Sequence, residues 1–183
     1  MPGLPRGRMA EAIRTLETAP RARAAYPHFL RIPTRWMDND AYGHVNNVTY
    51  YSYFDTVVNE HLIRVGGHDI ERAPAIGVVV ETGCTFAAFL AFPEVIDAGL
   101  AVTRLGGSSV TYAIGLFREN ADAPAAAGRF VHVWIDRASQ RPVAVWPRPA
   151  ASQRAATVRP GPLRRLSQMA PYYYSSRAVP WDW

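Results

Sequence analysis

Between Asn47 and Val65, apolar side chains recur three and four residues apart, at Val48, Tyr51, Phe54, Val58, Leu62 and Val65. That is the spacing of one helix face. Tyr50, Tyr53 and Val57 add a second apolar row beside it. A helix apolar over more than half its girth does not lie on a surface, so the pattern predicts an element wrapped by something else. Asn46 is the natural N-cap, and Gly66-Gly67 supplies the stop. At ~1.5 Å per residue the helix spans ~28 Å, enough to cross a sheet.

Elsewhere the period is two. Residues 28–36 alternate, with Leu30, Ile32, Thr34 and Trp36 on one face, and Pro33 marks an edge position or a strand end. After the helix come valine-rich Ile76–Phe86 and then Glu94–Leu105, with Ile96, Ala98, Leu100 and Val102 on one face. Gly106-Gly107 turns tightly into Ser109–Phe117, where Val110, Tyr112, Ile114 and Leu116 alternate. Ala127–Asp136 sets Arg129, Val131, Val133 and Ile135 against Phe130, His132 and Trp134, and a short strand at 143–146 closes the set. One strand, one buried helix and then strands joined by short turns predict an α+β fold, an antiparallel sheet of about five strands curled around a single helix.

The ends differ from this middle. Residues 1–26 open on Pro2, Gly3 and Pro5, with a short helix expected from Met9 to Glu17 before Pro20. An Arg-rich start would suit a transit peptide, but Glu11 and Glu17 argue against one. From Pro147 onward, prolines at 147, 149, 160, 162, 171 and 180 break any regular element, while Tyr172–Tyr174, Trp181 and Trp183 are expected to pack on the domain or on a partner subunit. The expected division is therefore an N-terminal extension (1–26), a folded domain (27–148) and a C-terminal extension rich in Pro, Arg and aromatics (149–183).

Composition changes the picture in three ways. All 20 basic residues are arginine, which removes Schiff-base chemistry and the phosphate-binding lysine of P-loops. The net charge of +5 belongs to the ends, because residues 26–147 carry nine Arg against twelve acids. Basic ends of this kind are read as solvated termini, with no nucleic-acid partner expected. A single cysteine, Cys84, excludes an internal disulfide framework, and no apolar run approaches the ~20 residues of a membrane span. Both suit a cytoplasmic protein.

One segment carries chemistry. Asp38 to Asp55 reads D-N-D-A-Y-G-H-V-N-N-V-T-Y-Y-S-Y-F-D, a polar turn with two carboxylates leading into the tyrosine-rich helix. An acid close to a helix N-terminus suits attack on a carbonyl, because free N–H groups there can hold the developing oxyanion. The spacing of Asp38, Asp40 and Gly43 is partly that of a calcium loop, but Tyr42 and Thr49 stand where ligands are required, so calcium is rejected and no metal is expected. For Asp38, a hydrogen bond tying the turn is the preferred reading.

This segment resembles the signature D-x-D-x-x-G-H-V-N-N-x-x-Y of the 4-hydroxybenzoyl-CoA thioesterase branch of the hotdog-fold superfamily, and the resemblance extends over about residues 27–148. It implies a hotdog fold and an acyl-CoA thioesterase working without metal or cofactor, as a homodimer or homotetramer with clefts between subunits. By the same resemblance Asp40 is the catalytic carboxylate, as nucleophile or general base. The backbone N–H of Asn47 polarises the thioester carbonyl, and Gly43 lets the turn pass close to substrate. His44, Asn46, Tyr50, Ser108 and Ser109 are the expected substrate-side residues. The bland alternatives are a turn-fixing ring for His44, core packing for Tyr50 and a plain hairpin turn for the two serines. Glu81 is the stand-in acid if Asp40 is not used. Arg from the C-terminal extension is a candidate for the CoA phosphates. The rivals are an acyl-carrier-protein thioesterase and a non-catalytic acyl-binding or assembly domain, with a hotdog dehydratase weaker because no paired Asp and His is apparent.

Overall fold

The computed structural model describes residues 22–145. The expected helix at Met9–Glu17 and the aromatic C-terminal stretch lie outside them. Five strands, β1 (His28–Pro33), β2 (Ala75–Phe86), β3 (Val95–Leu105), β4 (Ser109–Arg118) and β5 (Ala126–Asp136), form one antiparallel sheet in the order β1-β3-β4-β5-β2. One long helix among the described residues, α1 (Asn47–Arg64), packs across it. This is the arrangement that both the periodicity and the hotdog resemblance predict.

The alternating faces fall as expected. Ile96, Ala98 and Leu100 of β3, Ile114 and Leu116 of β4, and Phe130 and Trp134 of β5 join Phe54, Val57 and Val58 of α1 in one core. The opposite face is also covered, which is why β4 is buried continuously from Val110 to Phe117. There Tyr26 lies over β3 and β4 beside Phe29 and Phe117, in the space left where Gly99 and Gly115 carry no Cβ.

Three local expectations shift. The buried face of α1 is Tyr50, Tyr53, Phe54, Val57, Val58 and Leu62, whereas Val48 and Val65 are exposed at 65% and 53%. At 3.6 residues per turn Val48 sits roughly 160° around from Tyr50, and Val65 is already the C-cap. Trp36 is not on β1 but in a 3-10 turn, Trp36–Asp38, because β1 stops at Pro33. Residues 143–145 add no strand. Val143 N–H reaches the Trp134 carbonyl and Val145 N–H reaches that of Gly107, with one isolated bridge at Pro142, a residue that has no N–H to extend a ladder.

Helix and sheet approach closely at Gly128, where an added Cβ would collide with the Phe54 ring. Gly128→Ala is expected to lower unfolding free energy by about 1–3 kcal/mol in urea titrations. Gly107→Ala, whose new methyl meets nothing within 4 Å, is expected to stay within about 0.5 kcal/mol.

Candidate active site

The turn between β1 and α1 is organised by Asp38, which is only 2% exposed. Its Oδ2 accepts from the Arg35 N–H (2.7 Å) and from the Tyr53 hydroxyl (2.7 Å), and its Oδ1 accepts from the Arg35 guanidinium at 3.0 and 2.8 Å. Burial alone would push the Asp38 pKa up. The bonds from Arg35 and Tyr53 outweigh it and hold the carboxyl below its ordinary value. The Asp38 carbonyl also accepts the N–H of Asn46 at 2.8 Å, and Asn39 and Val45 face each other across an antiparallel bridge. The two limbs of the turn are thereby laced together directly before the helix.

Asp40 sits at the closed end of this hairpin. Its N–H donates to the His44 carbonyl (2.8 Å), and its carbonyl accepts from Gly43 N–H (3.1 Å). Gly43 has φ +80°, a conformation that side-chain-bearing residues rarely adopt. The Asp40 side chain is half-buried and makes one bond, Oδ1 accepting from Tyr42 N–H at 2.8 Å. Among the described residues Oδ2 has no hydrogen-bond partner and the carboxylate no ion pair. The two acids of the D-x-D pair therefore differ in kind: one is saturated by its neighbours and the other is not.

The helix start completes the arrangement. Asn46 caps it, its side chain accepting from Val48 N–H at 3.2 Å while its carbonyl accepts from Thr49 N–H at 2.9 Å. Among the described residues the N–H of exposed Asn47 finds no acceptor, one of the unpaired donors that every helix N-terminus presents. A half-free carboxylate and an unpaired helix N–H thus belong to the same short turn, a combination able to attack a carbonyl and hold the oxyanion that results.

A strap between β2 and β3 lies along this turn, and sequence reasoning missed it. Val45 N–H donates to the Leu90 carbonyl (2.7 Å), Leu90 N–H to the Tyr50 hydroxyl (3.3 Å), and Phe92 N–H to Asn39 Oδ1 (3.0 Å). The His44 ring stacks on Phe89 at 4.0 Å, Trp36 meets Phe92 edge-on, and Tyr50 meets Phe86. The available signal was the run of phenylalanines three residues apart at 86, 89 and 92.

The remaining expected residues lie apart from Asp40. Tyr50 is 3% exposed and belongs to the core beneath the strap. Ser108 and Ser109 sit at the β3–β4 turn, where Ser109 accepts from Gly106 N–H. Asp40 is at the opposite end, where β3 begins and β4 ends. Ten residues of β4 at ~3.4 Å each separate the two ends by roughly 30 Å within one chain. Glu81 is exposed on β2 and ion-paired with Arg129. Cys84 is partly buried, and burial pushes its thiol up to about 12, away from thiolate chemistry. No group of three His, Cys, Asp or Glu among the described residues could hold a metal ion, and no described helix is long and apolar enough to cross a membrane.

Comparison with known proteins gives this geometry a context. Residues 34–159 match the family model of the thioesterase-like superfamily. The PA5185 protein of Pseudomonas aeruginosa strain PAO1 is 53% identical over 75% of this chain and 94% of its own, with a TM-score of 0.68. The PA2801 protein of Pseudomonas aeruginosa, named as a candidate thioesterase, is 31% identical over 72% and 98%, with a TM-score of 0.64. The XC229 protein of Xanthomonas campestris, named as a candidate acyl-CoA thioesterase, is 32% identical over 61% and 95%, with a TM-score of 0.55. No curated protein matches the chain.

The Asp38 cluster has a measurable signature. Because its folded pKa is depressed, its stabilising contribution is complete above the unfolded carboxylate value of ~3.9. It is lost as pH falls through the lower folded value. Asp38→Asn is expected to destabilise the protein by about 1–3 kcal/mol at pH 7. Its gap to wild type should narrow below about pH 4, as followed by urea denaturation across that range.

Proposed function

We propose that this chain, which belongs to the thioesterase-like superfamily, hydrolyses acyl-CoA thioesters with Asp40 as the acting carboxylate. The observation that carries the assignment is the difference between the two acids. Asp38 accepts four hydrogen bonds and is closed to substrate, while Asp40 accepts one and keeps an oxygen free in the turn that leads into an unpaired helix N–H.

In the proposed reaction the thioester carbonyl oxygen accepts from the Asn47 N–H. Asp40 then either attacks the carbonyl carbon itself or removes a proton from an attacking water. In the first route the C–S bond breaks to give a mixed anhydride and the CoA thiolate, and water cleaves the anhydride to regenerate the carboxylate. In the second, water supplies the oxygen directly. Both consume one water and release a carboxylic acid and CoA thiol. The Asn47 N–H stabilises the negative oxygen in either route, so its contribution needs no particular side chain. Gly43 and Asn46 shape the turn and cap the helix beside the reacting carbonyl, while His44 borders the cleft.

The assembly we propose is at least a homodimer, and pairs of dimers would make a tetramer. β2 is a twelve-residue edge strand whose outer side pairs with nothing among the described residues, and Val79 and Val80 on it are 44% and 58% exposed. Such an edge invites pairing. A two-fold axis across β2 would set the strands antiparallel and carry Ser108 and Ser109 of the second copy toward the Asp40 end of the first. That arrangement would reconcile their separation within one chain with a substrate role. We take residues 27–148 as the catalytic domain, although the family match runs on to 159.

Release of free thiol from acetyl-, octanoyl-, palmitoyl- and benzoyl-CoA is the test, with wild type and Asp40→Asn side by side. Wild type should turn over at least one of them, and Asp40→Asn should lose about 10²- to 10⁴-fold in kcat with little change in melting temperature. Equal rates would remove Asp40 from the chemistry and direct attention to Glu81. No release from any CoA ester, with release from a matched acyl-carrier-protein ester, would replace CoA by the carrier protein.

A further inference from the structure

The strap described above has backbone bonds but no role in the reaction as derived so far. Its residues 87–93 read A-A-F-L-A-F-P, without one polar or charged side chain. Phe89 is 64% exposed and Phe92 37%, and Trp36, which meets Phe92, is 80% exposed. Three backbone bonds hold the strap on the turn, at Leu90 on both sides and at Phe92 through Asn39. These rings are therefore presented to solvent from a fixed backbone. Exposed apolar rings held in place in this way along one short segment mark a binding site.

We infer that Phe89, supported by Phe92 and Trp36, is the residue that selects the acyl group, and that the acyl group it takes is apolar. The inference rests on the thioester-hydrolase reading and deepens it. Trp36 precedes Asp40 in the turn and His44 follows it, and each touches a phenylalanine of the strap, at 5.8 Å and 4.0 Å. The aromatic surface consequently follows the turn on both sides of the acid. His44 is the closer link, since its carbonyl accepts the Asp40 N–H while its ring lies flat on Phe89. The neighbouring charges are already engaged: Arg118 donates to the Phe89 carbonyl at 2.6 Å and pairs with Glu94 at 3.2 Å. The Glu94 carboxylate also accepts the Ala91 N–H at 3.1 Å. A hydroxylated or carboxylated acyl group would lose water against these rings and gain no hydrogen bond from any side chain of residues 87–93, whereas an alkyl or unsubstituted aryl group would lose nothing.

The experiment uses the full-length chain as wild type, Phe89→Ala and Phe89→Leu, with octanoyl-CoA and acetyl-CoA as substrates. Binding of their non-hydrolysable thioethers, S-octyl-CoA and S-ethyl-CoA, is measured in parallel. Phe89→Ala is expected to lower the octanoyl-to-acetyl ratio of kcat/KM by roughly tenfold or more, and Phe89→Leu, which keeps an apolar side chain, to restore most of it. An unchanged ratio in an active enzyme would overturn the role of Phe89 while leaving the hydrolase reading intact. If wild type hydrolysed neither ester, the hydrolase reading would rest on the palmitoyl, benzoyl and carrier-protein esters, and the thioethers would decide the strap alone. A selective loss of S-octyl-CoA affinity in Phe89→Ala would then uphold apolar recognition, and equal affinities would overturn it. Dissociation of the assembly by Phe89→Ala in sedimentation would also overturn it, by making the patch a subunit contact.

Discussion

A carboxylate almost withdrawn from water stays ionised only where bonds replace the hydration it has lost, and at Asp38 four of them do. Those bonds come from three directions: the backbone and guanidinium of Arg35 at the end of the first strand, and the phenol of Tyr53 two turns into the helix. The Asp38 carbonyl then holds Asn46, the helix cap. Strand exit, turn and helix entry are thus fixed by one residue. Asp40, two positions on, inherits a defined place while its own carboxylate accepts one bond only, from the Tyr42 N–H. A pair of acids in one short motif is divided into one that builds and one that is left free.

Much of this was legible in the chain. Period-two alternation gave β3, β4 and β5 with their faces correctly sorted, because each of these strands is walled by the helix on one side and the outcome of a register slip would be severe. Asn46 as cap and Gly43 at the bend follow from local rules that need no tertiary context. The preference for a turn-tying Asp38 likewise agrees with its bonds.

What stayed hidden depends on contacts between distant residues. Tyr53 reads as one more apolar helix position, and only the fold shows its hydroxyl on a carboxylate fifteen residues earlier. Trp36 continues the alternation of β1 on paper, yet Pro33 ends the strand and the ring turns outward. The strap carries no polar residue to attract notice, although its residues 89, 90 and 92 all meet the turn. Ser108 and Ser109 are a different case: family resemblance puts them on the substrate side, and within one chain they lie at the end of the sheet away from Asp40. A β2 edge that pairs with nothing among the described residues is the physical reason to think in terms of two chains, because it is long and carries exposed valines at its middle.

The central claim is that a thioester carbonyl sits between the free oxygen of Asp40 and the N–H of Asn47. The most direct measurement is a crystal structure of Asp40→Asn with an intact acyl-CoA bound. The account predicts the carbonyl oxygen within hydrogen-bonding distance of the Asn47 N–H and the side chain at position 40 against the thioester carbon. A thioester seated away from the start of the helix, for example along β2 beside Glu81, would contradict it.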